Sequence, residues 1–124
     1  IKATLKLLAE TDGLAEVGAE LGSQVDSLEK LTYWLVDEHK DDQHLSASVA
    51  FNYLMGAGTC IAGWLLAKSA LVAADKMQAD PEFYEAKITT CRFYIAHVLP
   101  RAVAYFSTVK TATDTSLMLG DEAF

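Results

Sequence analysis

Side chains able to do chemistry fall in three places along these 124 residues. The first is the segment 37–44 (Asp-Glu-His-Lys-Asp-Asp-Gln-His), with two of the three histidines and four acids. His39 and His44 are of a type that joins a carboxylate around a metal. Their i, i+5 spacing is poor for one helix face, however, and neither HExxH nor an EF-hand loop is present. The segment reads as a solvated interhelix turn with Asp42 or Gln43 near the next cap, and no metal site is assigned. The second place is the thiol pair Cys60 and Cys91, both inside predicted helices. A hairpin turning near Ala79 staggers them by roughly 9 Å at about 1.5 Å per residue. That is too far for a disulfide. Both read as small buried apolar residues in a reducing compartment, so a cytoplasmic location is expected.

The third place is a polar stripe, Thr90, Tyr94, His97 and Arg101, with Lys87 and Arg92 near its flanks. Tyr, His and Arg at helical spacing suit contact with an anionic or aromatic ligand group, or with a partner domain. The plainer alternative is a boundary between core and solvent, where Tyr and Arg bury their stems and keep their tips wet. No Gly-rich phosphate loop, GxSxG, Walker motif or Cys/His cluster occurs. No carboxylate sits on an apolar stripe where it would pair with another. This is thin material for catalysis, and no catalytic residue is assigned.

The elements that must carry these groups are helices. Hydrophobic residues make up 52% of the chain and charged residues 22%, which suits one compact helical domain and not a disordered chain. The net charge is −7. Residues 12–42 hold nine acids and two bases and so account for all of it; the remainder balances. The acidic segment reads as a solvated helix face. Without a basic patch interleaved with aromatics, nucleic-acid binding is not expected. The sequence opens on Ile1 with no signal-peptide pattern, which predicts a processed product or a cut-out fragment.

The periodicity predicts an all-α, antiparallel up-down bundle. Three long helices at about 14–39, 45–77 and 81–110 follow a short one at 1–9. Leu14, Val17, Leu21, Leu28, Leu31 and Leu35 keep heptad spacing, with Gln24 at the remaining position. Thr11-Asp12-Gly13 offers caps for that helix. Asp80-Pro81-Glu82 is a strong start signal for the last one. Its stripe runs through Tyr84, Ile88, Cys91, Ile95, Val98, Ala102, Tyr105 and Val109, in phase on both sides of Pro100, so a kink is expected there.

From Leu45 to Ala67 there is no charged residue, and Lys68 is the only charge before Asp75. A helix apolar on every side must be surrounded, by other helices or by lipid. The two apolar-striped neighbours favour a buried spine and no membrane span. Gly56, Gly63 and Ala70 mark the expected closest helix approach. Asn52 is expected to be a satisfied core hydrogen bonder.

The last third adds a resemblance. Phe83-Tyr84-Glu85-Ala86-Lys87, Arg92-Phe93-Tyr94 and His97-Val98-Leu99-Pro100-Arg101 are similar to the end of a long-form subset of bacterial acyl-CoA dehydrogenases. So is the tail, Ser116-Leu117-Met118 followed by Glu122-Ala123-Phe124. These enzymes carry an extra helical domain after the dehydrogenase core. The resemblance covers essentially the whole chain and is most specific over residues 83–124.

The resemblance implies a parent flavoenzyme that holds FAD and oxidises the Cα–Cβ bond of an acyl-CoA to a trans-2-enoyl-CoA. A carboxylate base and the flavin would belong to the preceding core, so the isolated fragment is expected to be inactive and to hold no cofactor. The expected partners are that core domain, acyl-CoA through the parent enzyme, and further copies in a homo-oligomer. If this domain touches CoA, Tyr94, His97 and Arg101 are the candidate residues, since Arg suits phosphate and the rings suit adenine. The competing reading is a stand-alone helical-bundle interaction or ligand-binding module without enzymatic activity.

Overall fold

A computed structural model describes residues 1–40 and 44–111. They form five helical segments and, among the described residues, no strand: α1 (Lys2–Glu10), α2 (Ala15–Glu38), α3 (Leu45–Asp75), α4 (Pro81–His97) and α5 (Arg101–Thr111). The expected short helix and three long ones are present, the last delivered as α4 and α5. Asp80 caps α4 as its sequence signals, accepting a hydrogen bond from the Phe83 amide at 3.2 Å, with Pro81 at the first helical position. The N-terminus of α2 has no side-chain cap. Thr11 instead donates back to the Leu7 carbonyl and closes α1. Gly13 makes the following turn with φ +70°, a conformation glycine adopts without a Cβ penalty.

The core is a seam between α3 and its neighbours. From α2 it takes Leu14, Val17, Leu21, Val25 and Leu31; from α4 Ile88, Cys91 and Ile95; from α5 Ala102, Phe106 and Val109. The α3 side of the seam is made of small residues, Gly56, Cys60, Gly63, Ala67, Ala70 and Ala73. The expected approach at Gly56, Gly63 and Ala70 is therefore observed. At Gly56 a methyl group would overlap the Phe106 ring. At Gly63 it would meet Leu21, Tyr94 and Leu99 at 3.4–3.5 Å. Small residues let the larger side chains of three helices reach the α3 backbone, and dispersion contacts fill the space.

Polar bonds fix the crossings. The Trp64 indole N–H donates to Thr4 Oγ1 at 2.8 Å and ties α1 to α3. The Thr32 hydroxyl donates to the Leu28 carbonyl at 2.7 Å, so across the 2.9 Å contact between Thr32 and Tyr53 it is the Tyr53 phenol that donates. The acids of α2, including Glu16, Glu20 and Asp26, face outward as expected for a solvated face. Asn52 differs from expectation. It is half-buried, and among the described residues no side-chain hydrogen bond holds it.

Two further expectations are corrected. The helix 81–110 is interrupted at residues 98–100 and not merely kinked. Pro100 has no N–H to donate to the Ala96 carbonyl, and its ring crowds that carbonyl. The backbone widens in response: the Val98 and Leu99 amides both donate to the Tyr94 carbonyl, each at 2.9 Å. The Leu99 bond spans five residues, a π-type turn. Leu99 and Phe106 are buried in place of the expected Val98 and Tyr105, which are only half-buried, while Ala102 and Val109 are buried as the stripe predicts.

The second correction concerns α3. It is not surrounded. Phe51, Leu54, Ile61, Leu65 and Val72 are between 46% and 69% exposed, and they lie along one face. By length and composition α3 is also long and apolar enough to cross a membrane. One side of this helix is the core seam; the other is apolar surface that the described residues leave exposed.

Candidate functional site

The outward face of α4 and the start of α5 position the polar stripe. The structure divides it. Tyr94 turns inward: its hydroxyl donates to the Thr59 carbonyl of α3 at 3.0 Å. Burial, and secondarily the neighbouring Cys60, push its phenol pKa up, so it stays protonated and acts as a helix-to-helix strut. His97 and Arg101 stay outside and exposed. The Arg101 backbone N–H donates to the Val98 carbonyl at 3.1 Å, while its guanidinium has no hydrogen-bond or ion-pair partner among the described residues and is available to an anion.

The flanking residues are occupied. Thr90 donates back to the Ala86 carbonyl at 2.8 Å. The Lys87 ammonium lies 5.0 Å from the Phe83 ring centre. The Arg92 guanidinium donates to the Gly13 carbonyl at 2.9 Å, pinning the turn before α2 against α4. The aromatic group that does lie on the outer face is Phe93, whose ring centre is 4.7 Å from that of His97. The signal that could have found Phe93 is its i, i+4 spacing to His97.

Both thiols are free and buried. Burial pushes Cys60 and Cys91 up to about 11, so they remain protonated and are poor nucleophiles. For Cys91 the neighbouring Arg92 opposes that shift without cancelling it. Among the described residues no group of three or more His, Cys, Asp or Glu is placed to hold a metal. Near the 37–44 segment, His39 Nδ1 and Ser46 Oγ are 2.8 Å apart, and Lys40 pairs with Asp37 at 2.7 Å. Residues 41–43, and with them Asp42 and Gln43, lie outside the described residues. So does the tail 112–124, with the Ser116-Leu117-Met118 and Glu122-Ala123-Phe124 segments of the resemblance.

A groove of about 380 Å³ opens between α2 and α4, lined by Gly13, Glu16, Val17, Glu20, Arg92 and Pro100 among others. It carries two carboxylates against one guanidinium that is already engaged. That balance is wrong for a phosphate or pyrophosphate.

A helical seam of small residues with one exposed apolar face and a few outward polar groups defines an all-α helical domain. Residues 1–119 match the family described as acetyl-CoA dehydrogenase C-terminal like, and the chain belongs to that family. It is also similar to butyryl-CoA dehydrogenase from Syntrophomonas wolfei, with 33% identity over 81 residues, 60% of this chain and 13% of that protein. A broad-specificity linear acyl-CoA dehydrogenase, FadE5 of Mycobacterium tuberculosis, is 30% identical over 77 residues, 58% of this chain and again 13% of the relative. The chain thus corresponds to a small fraction of the length of these relatives. No solved structure matches it.

Membership of an acyl-CoA dehydrogenase family implies FAD in the whole enzyme. The α2–α4 groove does not fit that group. Its pyrophosphate needs donors, whereas the α2–α4 groove presents Glu16 and Glu20.

Proposed function

We propose that this chain is the C-terminal accessory domain of an FAD-dependent acyl-CoA dehydrogenase, which oxidises an acyl-CoA thioester between Cα and Cβ. The observation that carries the reading is the match of residues 1–119 to a C-terminal-domain family. The two dehydrogenase relatives support it, each about eight times longer than the matched segment. In this reading the base and the flavin site belong to the rest of the polypeptide, and this domain supplies packing surface. A flavin content and acyl-CoA-dependent bleaching of the flavin in the complete natural polypeptide test the reading. A polypeptide with neither would overturn it.

Within that reading, the outer face of α4 and the start of α5 is the part of this domain suited to the CoA end of the substrate. Arg101 offers a guanidinium unengaged among the described residues for phosphate, and the neighbouring Phe93 and His97 rings, tilted 39° to one another, offer an aromatic surface for adenine. Tyr94 supports that face from below and does not reach the ligand.

A further inference from the structure

The exposed face of α3 has a spacing of its own. Ala47, Phe51, Leu54, Gly58, Ile61, Leu65, Lys68 and Val72 follow one another at steps of four and three, and all eight are exposed. That is the seam of a helix built to pack against another helix. The large side chains expose on the order of 500 Å² of apolar surface, at the upper end of what a monomer leaves open and a large share of the ~800 Å² each partner gives a standard interface. Gly58 differs from the buried glycines of the same helix. Nothing lies within 4 Å of where its Cβ would stand, so it forms a notch between Leu54 and Ile61 that is open to an incoming side chain.

We infer that this stripe of α3 is the surface by which the domain docks onto the dehydrogenase body of its own polypeptide. The inference rests on the functional reading above. Three observations select this occupant. The curated relatives carry about seven-eighths of their length outside the matched segment, so a large partner is covalently attached. Attachment presents that partner at an effective concentration on the order of millimolar, which a free second copy does not reach. The stripe has one charge, Lys68, and the chain as a whole carries −7; an anionic lipid surface repels such a chain and does not attract it. The matching surface on the body is a helix face of apolar side chains, with a large one opposite Gly58 and a carboxylate opposite Lys68.

The test is side-chain accessibility. Leu54→Cys and Leu65→Cys are introduced separately into the complete polypeptide and into the 124-residue chain, and maleimide labelling rates are compared. The native thiols are buried and silent. Ala19→Cys, on the exposed face of α2, is the control. The expected result is labelling at least tenfold slower at positions 54 and 65 in the complete polypeptide, with position 19 unchanged. Equal rates in a flavin-bearing, active polypeptide overturn the docking surface and leave the functional reading standing. Protection in the 124-residue chain that grows with concentration and accompanies a dimeric mass overturns it in favour of a second copy. Protection that needs added phosphatidylglycerol vesicles overturns it in favour of a membrane. A complete polypeptide without flavin or acyl-CoA oxidation overturns the functional reading and this one with it.

Discussion

The Phe106 ring of α5 lies directly on the backbone of Gly56 in α3, with its Cδ1 2.7 Å from where a Gly56 Cβ would stand. No side chain fits between them. Gly56→Ala is expected to destabilise the fold by about 1–3 kcal/mol, since the ring must leave its rotamer or the helices must part. Phe106→Leu opens room at the same place, so the double variant should lose less than the sum of the two single losses. Urea unfolding of the four proteins measures the coupling. Strict additivity would show that the ring relaxes without strain.

Tyr94 and Arg101, on either side of His97 in the sequence stripe, are expected to separate in kinetics. Tyr94→Phe removes the bond to the Thr59 carbonyl and should lower stability by about 0.5–1.5 kcal/mol. It should leave the acyl-CoA KM of the complete enzyme unchanged. Arg101→Ala should leave the melting temperature alone and raise that KM, with kcat unaltered. An unchanged KM in the Arg101 variant would return the outer stripe to a solvated boundary.

The buried thiols make stability pH-dependent. Cys60 and Cys91 hold their protons to about 11 in the folded chain against 9.0 in a model thiol. The folded state therefore binds protons that the unfolded state has released. Their contribution is intact below pH 9 and is lost as pH rises from 9 to 11. Complete loss amounts to a few kcal/mol per thiol, on the order of 1.4 kcal/mol for each pKa unit. Tyr94 shifts in the same direction. Urea midpoints across that window should fall in the native chain. They should fall less steeply in the Cys60→Ala, Cys91→Ala double variant; an equal slope would assign the loss to other groups.

The short helix α1 is held by the buried Leu8, by the Lys2–Glu29 ion pair to α2 and by one side-chain hydrogen bond from α3. It has no side-chain N-cap, and Trp64 reaches it through Thr4. Thr4→Val keeps the shape and leaves the indole N–H without its acceptor. This should cost about 1–3 kcal/mol. Because the loss is concentrated at α1, limited proteolysis should cut the first ten or so residues faster than in the native chain while α2–α5 stay intact. Uniformly faster digestion along the whole chain would mean that α1 is integral to the core.

Local rules carry over well where the partner lies within the same helix or the next one. The Asp80-Pro81 start, the α2 heptads and the small-residue seam of α3 are of this kind, because a cap or an a/d stripe states its own requirement. Three features depend on more than local pattern. The uncharged run of α3 demands a cover, but composition does not say whether this chain provides it. The stripe beyond Pro100 keeps phase with either of two backbone paths, and only the π-type turn decides between Val98 and Leu99. Tyr94 sits on a polar stripe with His97 and Arg101, yet its hydrogen bond to the Thr59 carbonyl of α3 takes it inward. A helical wheel drawn for one segment does not contain the acceptor on another.

The turn at Pro100 also separates two cooperative units. With the Leu99 amide diverted to Tyr94 and Pro100 lacking a donor, the ladder of hydrogen bonds does not pass from α4 to α5 as a continuous series. Ile95 and Phe106 thus lie on opposite sides of a break in that ladder. The Phe106–Gly56 contact anchors the segment beyond the break to α3, as Ile88, Cys91 and Ile95 anchor the segment before it.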